Sequence, residues 1–228
     1  MVEDFQLRFQ RGDRHLRTVE ELVAASTSGR AARAAGGLQA DDDPPRPPTG
    51  ADPDPITELS AVIGDCVHDL RTALDNLAWR LAGKEAHPHT AFPVFKDRGF
   101  FQKHARAGAD YRGHGGSMMA GMSPEAQAAI ESLQPFARPH GREPTAEALW
   151  ILHRLDMEER HYSAAITVGP SVTFDVAGPA AGLPVVECLV GCRDAVEEAI
   201  LALEDLLPPR PAGPAPSGSV TAPGPTAS

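Results

Sequence analysis

The stretch ITELSAVIGDCVHDLRTALDNLAWRLA, residues 56–82, decides the fold. Ile56, Leu59, Val62, Ile63, Val67, Leu70, Leu74, Leu77 and Leu81 recur at helical spacing, which predicts one long amphipathic helix. Asp54-Pro55 supplies an N-cap followed by proline at the first helical position, and Gly83 supplies a stop. A helix of that length is about 40 Å long, so it is the expected spine of the molecule.

Working towards the N-terminus, residues 27–54 lose all periodicity. They hold an Asp41-Asp42-Asp43 run and PPRPPTG, and few large apolar side chains, so they are expected to be a disordered linker. Before them, Phe5, Leu7 or Phe9, Leu16, Val19, Leu22 and Val23 predict an N-terminal helix over 3–26, ended by Ser26-Thr27-Ser28-Gly29. Working towards the C-terminus, TAFPVFKD (90–97) reads as extended chain, and Pro93 keeps it from being a central strand. Phe100, Phe101 and His104 suggest a short helix, and the Gly-rich residues 106–122 suggest a mobile loop. Helices follow at 124–134 and 146–162. Residues 163–176 read as a small β-hairpin around Gly169-Pro170-Ser171. PVVECLV is either a third strand or the approach to a last helix at about 188–207. From Pro208 the sequence is Pro/Ala/Gly/Ser-rich and is expected to be a disordered tail. The fold class is therefore mainly α: a helical bundle in a core domain, 55–207, around the long helix, with a β-hairpin before the C-terminal helix.

Composition narrows the function. The chain has 228 residues and a formal net charge of -10. That acidity argues against broad binding to nucleic acid or anionic membrane, while leaving room for RNA at a local basic site. Three cysteines, Cys66, Cys188 and Cys192, do not make a disulfide framework. The spacing of Cys188 and Cys192 is not that of a zinc knuckle, and all three read as small buried hydrophobes. The stretch MVEDFQLRFQRGDRH lacks the apolar run of a secretory leader, and no segment has the apolar length of a membrane span. The expected location is the cytoplasm, with no membrane partner. A homodimer is compatible with the sequence, and no cofactor is expected.

Two predicted helices carry polar clusters. On the long helix, Asp65, His68, Arg71 and Asp75 recur about one turn apart and are expected to share one side, with Asn76 next to them. On the second, His153, Arg154, Asp156, Glu159, Arg160 and His161 lie within nine residues of each other. The bland reading is a solvated face laced with i,i+4 ion pairs such as Arg71 with Asp75; Asp65, Asp69 and Glu158 fit it. Against it, His68, Arg71 and His153 border apolar stripes, where charged groups need partners.

Three uses are open. Arg71 or Arg154 could bind a phosphate while His68 or His161 moves a proton, making His68, Arg71 and His161 the candidate catalytic groups. Arg154 and His161 match the loose R-x(4–6)-H spacing of HEPN ribonucleases. A metal site would draw on His68, His153, Glu159 and His161; Glu158-x-x-His161 matches the helical unit such sites favour, but the long helix has no matching unit, so no metal is expected. The third use is an ion-pair network that docks the two helices. Asp65, Asp75, Asn76, His153, Glu159 and Arg160 are then candidate ligand-binding groups. Neither a phosphate-binding glycine loop nor a Gly-x-Ser-x-Gly elbow is present.

IGDCVHDLRTALDNLAWRLAG, TAFPVF, SPEAQAAIESLQPF and LWILHRLDMEERH, taken together, resemble an uncharacterised bacterial family common in actinobacteria. Its members carry GDxxHNLRSALDHLA, FPI, IxxLQPY and LHxLxNIDKH blocks in that order. The resemblance spans roughly residues 60–165 and implies no established activity. It adds weight to Gly64, Asp65, His68, Arg71, Asp75, His153, Glu159, Arg160 and His161. Asn76 stands where relatives have His, which breaks their HEPN-like Arg-x4-His spacing. Met157-Glu158 replaces Asn-Ile, and Arg154 replaces an acidic residue. The best reading is a helical module that binds a small molecule or a protein; the alternative is a HEPN-like RNA-binding or RNA-cleaving protein, degenerate in its motif. Whether the chain is an enzyme stays open.

Overall fold

A computed structural model of the chain describes residues 3–35, 55–103, 114–137, 148–159, 166–168, 171–176 and 178–209. Described residues are mainly helical, with a two-stranded antiparallel hairpin before the last helix. The helices are α1 (Asp4–Ala35), α2 (Pro55–Ala82), α3 (Arg98–Phe101), α4 (Gly115–Met118), α5 (Pro124–Ser132), α6 (Ala148–Glu159) and α7 (Val185–Leu203). The strands are β1 (Ile166–Val168) and β2 (Val172–Phe174), in register Ile166 to Phe174 and Val168 to Val172.

The spine is α2, as its apolar stripe requires. Leu59, Ile63, Val67, Leu70, Leu74 and Leu77 are all buried. Its main partner is α1, which runs antiparallel to it: Glu3 meets Arg80 at one end, and Gly12 meets Cys66 further along. The approach at Gly12 is close, since a Cβ there would lie 2.9 Å from the Leu70 side chain. The bare glycine lets the Cys66 thiol donate to the Gly12 carbonyl at 3.4 Å. Phe5, Leu16 and Val19 complete the buried side of α1. Helices α6 and α7 cover other sides of α2. Cys192 of α7 donates to the Ala148 carbonyl at the start of α6 at 3.5 Å.

Several expectations are corrected. The first helix does not stop at Ser26 but continues to Ala35. Ser26 and Thr27 donate their hydroxyls to the Leu22 and Val23 carbonyls at 2.8 and 3.0 Å, so they stay satisfied inside a helix. The Ala- and Arg-rich residues that follow then favour its continuation. The rest of the expected linker (36–54) and residues 210–228 lie outside the described residues. The last helix begins at Val185, so PVVECLV is helical, with Pro184 bridging back to Thr173. Part of the expected Gly-rich loop is α4, packed so tightly that a Cβ on Gly115 would overlap the Phe101 carbonyl. Residues 106–113 of that loop lie outside the described residues.

The extended TAFPVF segment is latched rather than paired in a sheet. Arg71 Nη2 donates to Asp75 Oδ1 at 2.7 Å and to the Phe92 carbonyl at 2.6 Å, and the Phe92 N–H donates to the same Asp75 oxygen at 3.0 Å. Three residues further on, the buried Gln134 accepts from the Phe95 N–H at 3.0 Å and donates to the Pro93 carbonyl at 2.9 Å. The backbone polar groups of an extended run are thus met by side chains, as burial demands.

Candidate functional site

The expected single face of Asp65, His68, Arg71 and Asp75 is not what α2 presents. Each step of three residues falls about 60° short of a full turn, so two steps put Asp65 and Arg71 about 120° apart. Asp65 and His68 are exposed, Arg71 is buried, and Asp75 and Asn76 are half-buried. Arg71 is spent on Asp75 and Phe92, which takes it out of the set of groups free to bind a phosphate. Its second guanidinium nitrogen, Nη1, is buried and meets no acceptor among the described residues.

What does converge is the seam between α2 and α6. The His68 imidazole stands with Nδ1 3.7 Å from Asp156 Oδ1, and its Nε2 lies 3.4 Å from the Thr72 hydroxyl. Asp156 is buried, whereas the His68 side chain is 62% exposed. The seam therefore offers an open imidazole backed by a carboxylate that water does not reach. His153 is half-buried on the same helix as Asp156, its ring 5.6 Å from Trp150. Arg154 is half-buried. The side chains of Glu158 and Glu159, and all of Arg160 and His161, lie outside the described residues. Among the described residues no group of three or more His, Cys, Asp or Glu side chains is placed to hold a metal ion. No helix of the described residues is long and apolar enough to cross a membrane.

Asp69, read from sequence as a solvent-facing residue, is a correction. It is buried in the α1–α2 seam, with Arg8 at 2.8 Å, Arg11 at 3.3 Å and His15 at 3.5 Å. The signal was present in the sequence: Arg8, Arg11 and His15 recur at helical spacing and make a basic stripe on α1. Reading it required knowing that α1 lies antiparallel on α2. Beside it, burial pushes the Cys66 thiol up to about 12, with the charges of Asp69 and Asp13 adding to the effect. Cys188 and Cys192 are free, like Cys66. The contact between the Cys188 and Cys192 thiols lowers the pKa of Cys188, and that contact together with burial raises the pKa of Cys192.

Comparison with known proteins finds no family model that matches the chain, and no curated protein or solved structure similar to it.

Proposed function

We propose that this chain is a helical module, bacterial and cytoplasmic, that binds a small molecule or a protein partner through the seam between α2 and α6. One observation carries the reading: His68 is open to solvent and backed by the buried Asp156, while Arg71 is closed by Asp75 and Phe92. A ligand at this seam meets an imidazole that can donate or accept a hydrogen bond. It does not meet the free guanidinium that phosphate recognition favours. The alternative, a HEPN-like protein that binds or cleaves RNA, draws on the Arg71-x4-Asn76 spacing and on His161; the closed state of Arg71 weighs against it.

The test is a thermal-shift screen of the intact chain and of His68→Ala against metabolites and a short RNA, with light scattering for self-association. At least one non-RNA ligand, or a second copy, should raise the melting temperature of the intact chain and lose its effect in His68→Ala. A monomer that binds nothing removes the proposal. Stabilisation by RNA alone replaces it with the alternative.

A further inference from the structure

Trp79 is exposed at the C-terminal end of α2, 45% of it open to solvent, in a molecule whose other large core residues are mostly covered. It lines a groove of about 660 Å³ together with Gly83, Lys84, Pro208 and Pro209. The groove has a polar wall made by Glu3, Asp4 and Arg80, where Arg80 Nε lies 3.3 Å from Glu3 Oε2. Arg80 and Glu3 pair with each other, leaving Asp4 and Lys84 as exposed charges of opposite sign in the groove.

The chain already enters this groove. After α7 a short 3-10 turn ends at Leu207, whose φ of -67° and ψ of 132° are close to polyproline II values. Pro208 follows, and its ring meets Gly83, the residue just past the end of α2. Gly83 has φ +58°, the left-handed conformation that ends a helix, and a Cβ there would lie 3.3 Å from the Pro208 ring. Glycine is favoured at 83 twice over, by its backbone conformation and by the proline packed against it. Beyond Pro209 the sequence continues Arg210-Pro211-Ala212-Gly213-Pro214-Ala215-Pro216. Prolines at this density pre-order a polyproline II helix, and an aromatic-lined groove is the surface that such a helix fits.

We propose that this groove is a polyproline-binding surface and that its resident occupant is the chain's own segment 208–216. Pro208 and Pro209 line the groove together with Trp79 and the exposed Asp4. The same Pro-Pro-Arg-Pro sequence recurs at 44–47, but Pro208 and Pro209 are the prolines that line the groove.

The experiment uses the full chain with Trp150→Phe, which leaves Trp79 as the single tryptophan reporter. It is compared with the same chain carrying Pro208→Ala, Pro209→Ala and Pro211→Ala. The substitutions should shift Trp79 emission to the red and increase its quenching by acrylamide. A synthetic peptide of residues 207–216 should bind the substituted chain saturably and the intact chain at least tenfold more weakly, because the groove of the intact chain is filled. Trp79→Ala, carrying the same proline substitutions, should lose binding of a labelled peptide. Should that variant not fold by circular dichroism, the peptide titration on the proline-substituted chain still decides. Unchanged Trp79 emission, or equal peptide binding by the two chains, overturns the proposal. Tail-dependent protection of Trp79 that grows with protein concentration also overturns it, by making a second copy's prolines the occupant.

Discussion

Residues 68 and 69 are neighbours on α2, yet they belong to seams of opposite character. Asp69 faces α1, is buried, and has Arg8, Arg11 and His15 around it. His68 faces α6, is mostly exposed, and has the buried Asp156 behind it at 3.7 Å. In the first seam the carboxylate is closed by donors from the partner helix, and the neighbouring thiol of Cys66 is sealed against Gly12. In the second the group with the acid–base chemistry is left facing water. A polar residue on a core helix therefore says little by its type. The closure of its partner set separates a docking contact from a group that a ligand can reach. Arg71 belongs with the first kind, since its partners Asp75 and Phe92 come from its own helix and the latched segment.

The largest expected effect tests how tightly the α1–α2 seam is sealed. The Cys66 pKa is raised by burial from 9.0 to about 12 in the folded chain. Below pH 9 the thiol is protonated in both states and the shift has no effect on stability. Above pH 9 the unfolded chain releases this proton while the folded chain retains it, so stability falls as pH rises towards 12, by about 4 kcal/mol at the top of the window. Urea unfolding of the chain and of Cys66→Ser at pH 8 and pH 10.5 checks this. The serine variant should lose markedly less stability between the two. Equal losses would mean that water reaches Cys66 and that the two seams differ less than their geometry implies.

Next in size is the closed guanidinium. Arg71→Ala leaves Asp75 without its cation and the Phe92 carbonyl without its donor, and should cost about 3 kcal/mol. Arg71→Lys should recover part of this, because one ammonium lacks the planar fork that spans both acceptors. The measurement is the urea midpoint at unchanged slope. A change near zero would show that Gln134 alone holds the segment, and would return Arg71 to the groups available for a ligand.

How much of this could be read in advance depended on whether one helix or two carried the information. The α2 stripe, the extended character of TAFPVF, the hairpin and the final helix each follow from local periodicity or a proline, and each stands in the structure. The continuation of α1 past Ser26 was hidden because serine and threonine signal both caps and, when they bond back to a carbonyl one turn away, helix interior. The polar groups were the least legible. Spacing placed His68 and Arg71 near one another, but the 60° deficit of each three-residue step sends one to solvent and the other inward. Asp69 and Asp156 owe their burial to helices distant in sequence, so no reading of α2 or α6 alone could find it. The expected docking of α2 against α6 stands, while the more extensive seam with α1 was not read from spacing.

The smallest expected effect is the most informative for function. His68→Ala removes a side chain that is 62% exposed and separated from Asp156 by more than ordinary hydrogen-bond reach. Substitutions at such positions usually change stability by less than about 0.5 kcal/mol. The variant should therefore unfold in urea at nearly the same midpoint as the intact chain, while losing whatever binds at the α2–α6 seam. A stability loss above about 1.5 kcal/mol would mean that the imidazole is engaged with Asp156 as a charged pair. His68 would then belong with Asp69 and Arg71 as a docking contact, the contrast between the seams would close, and the binding surface would have to be sought elsewhere on the molecule.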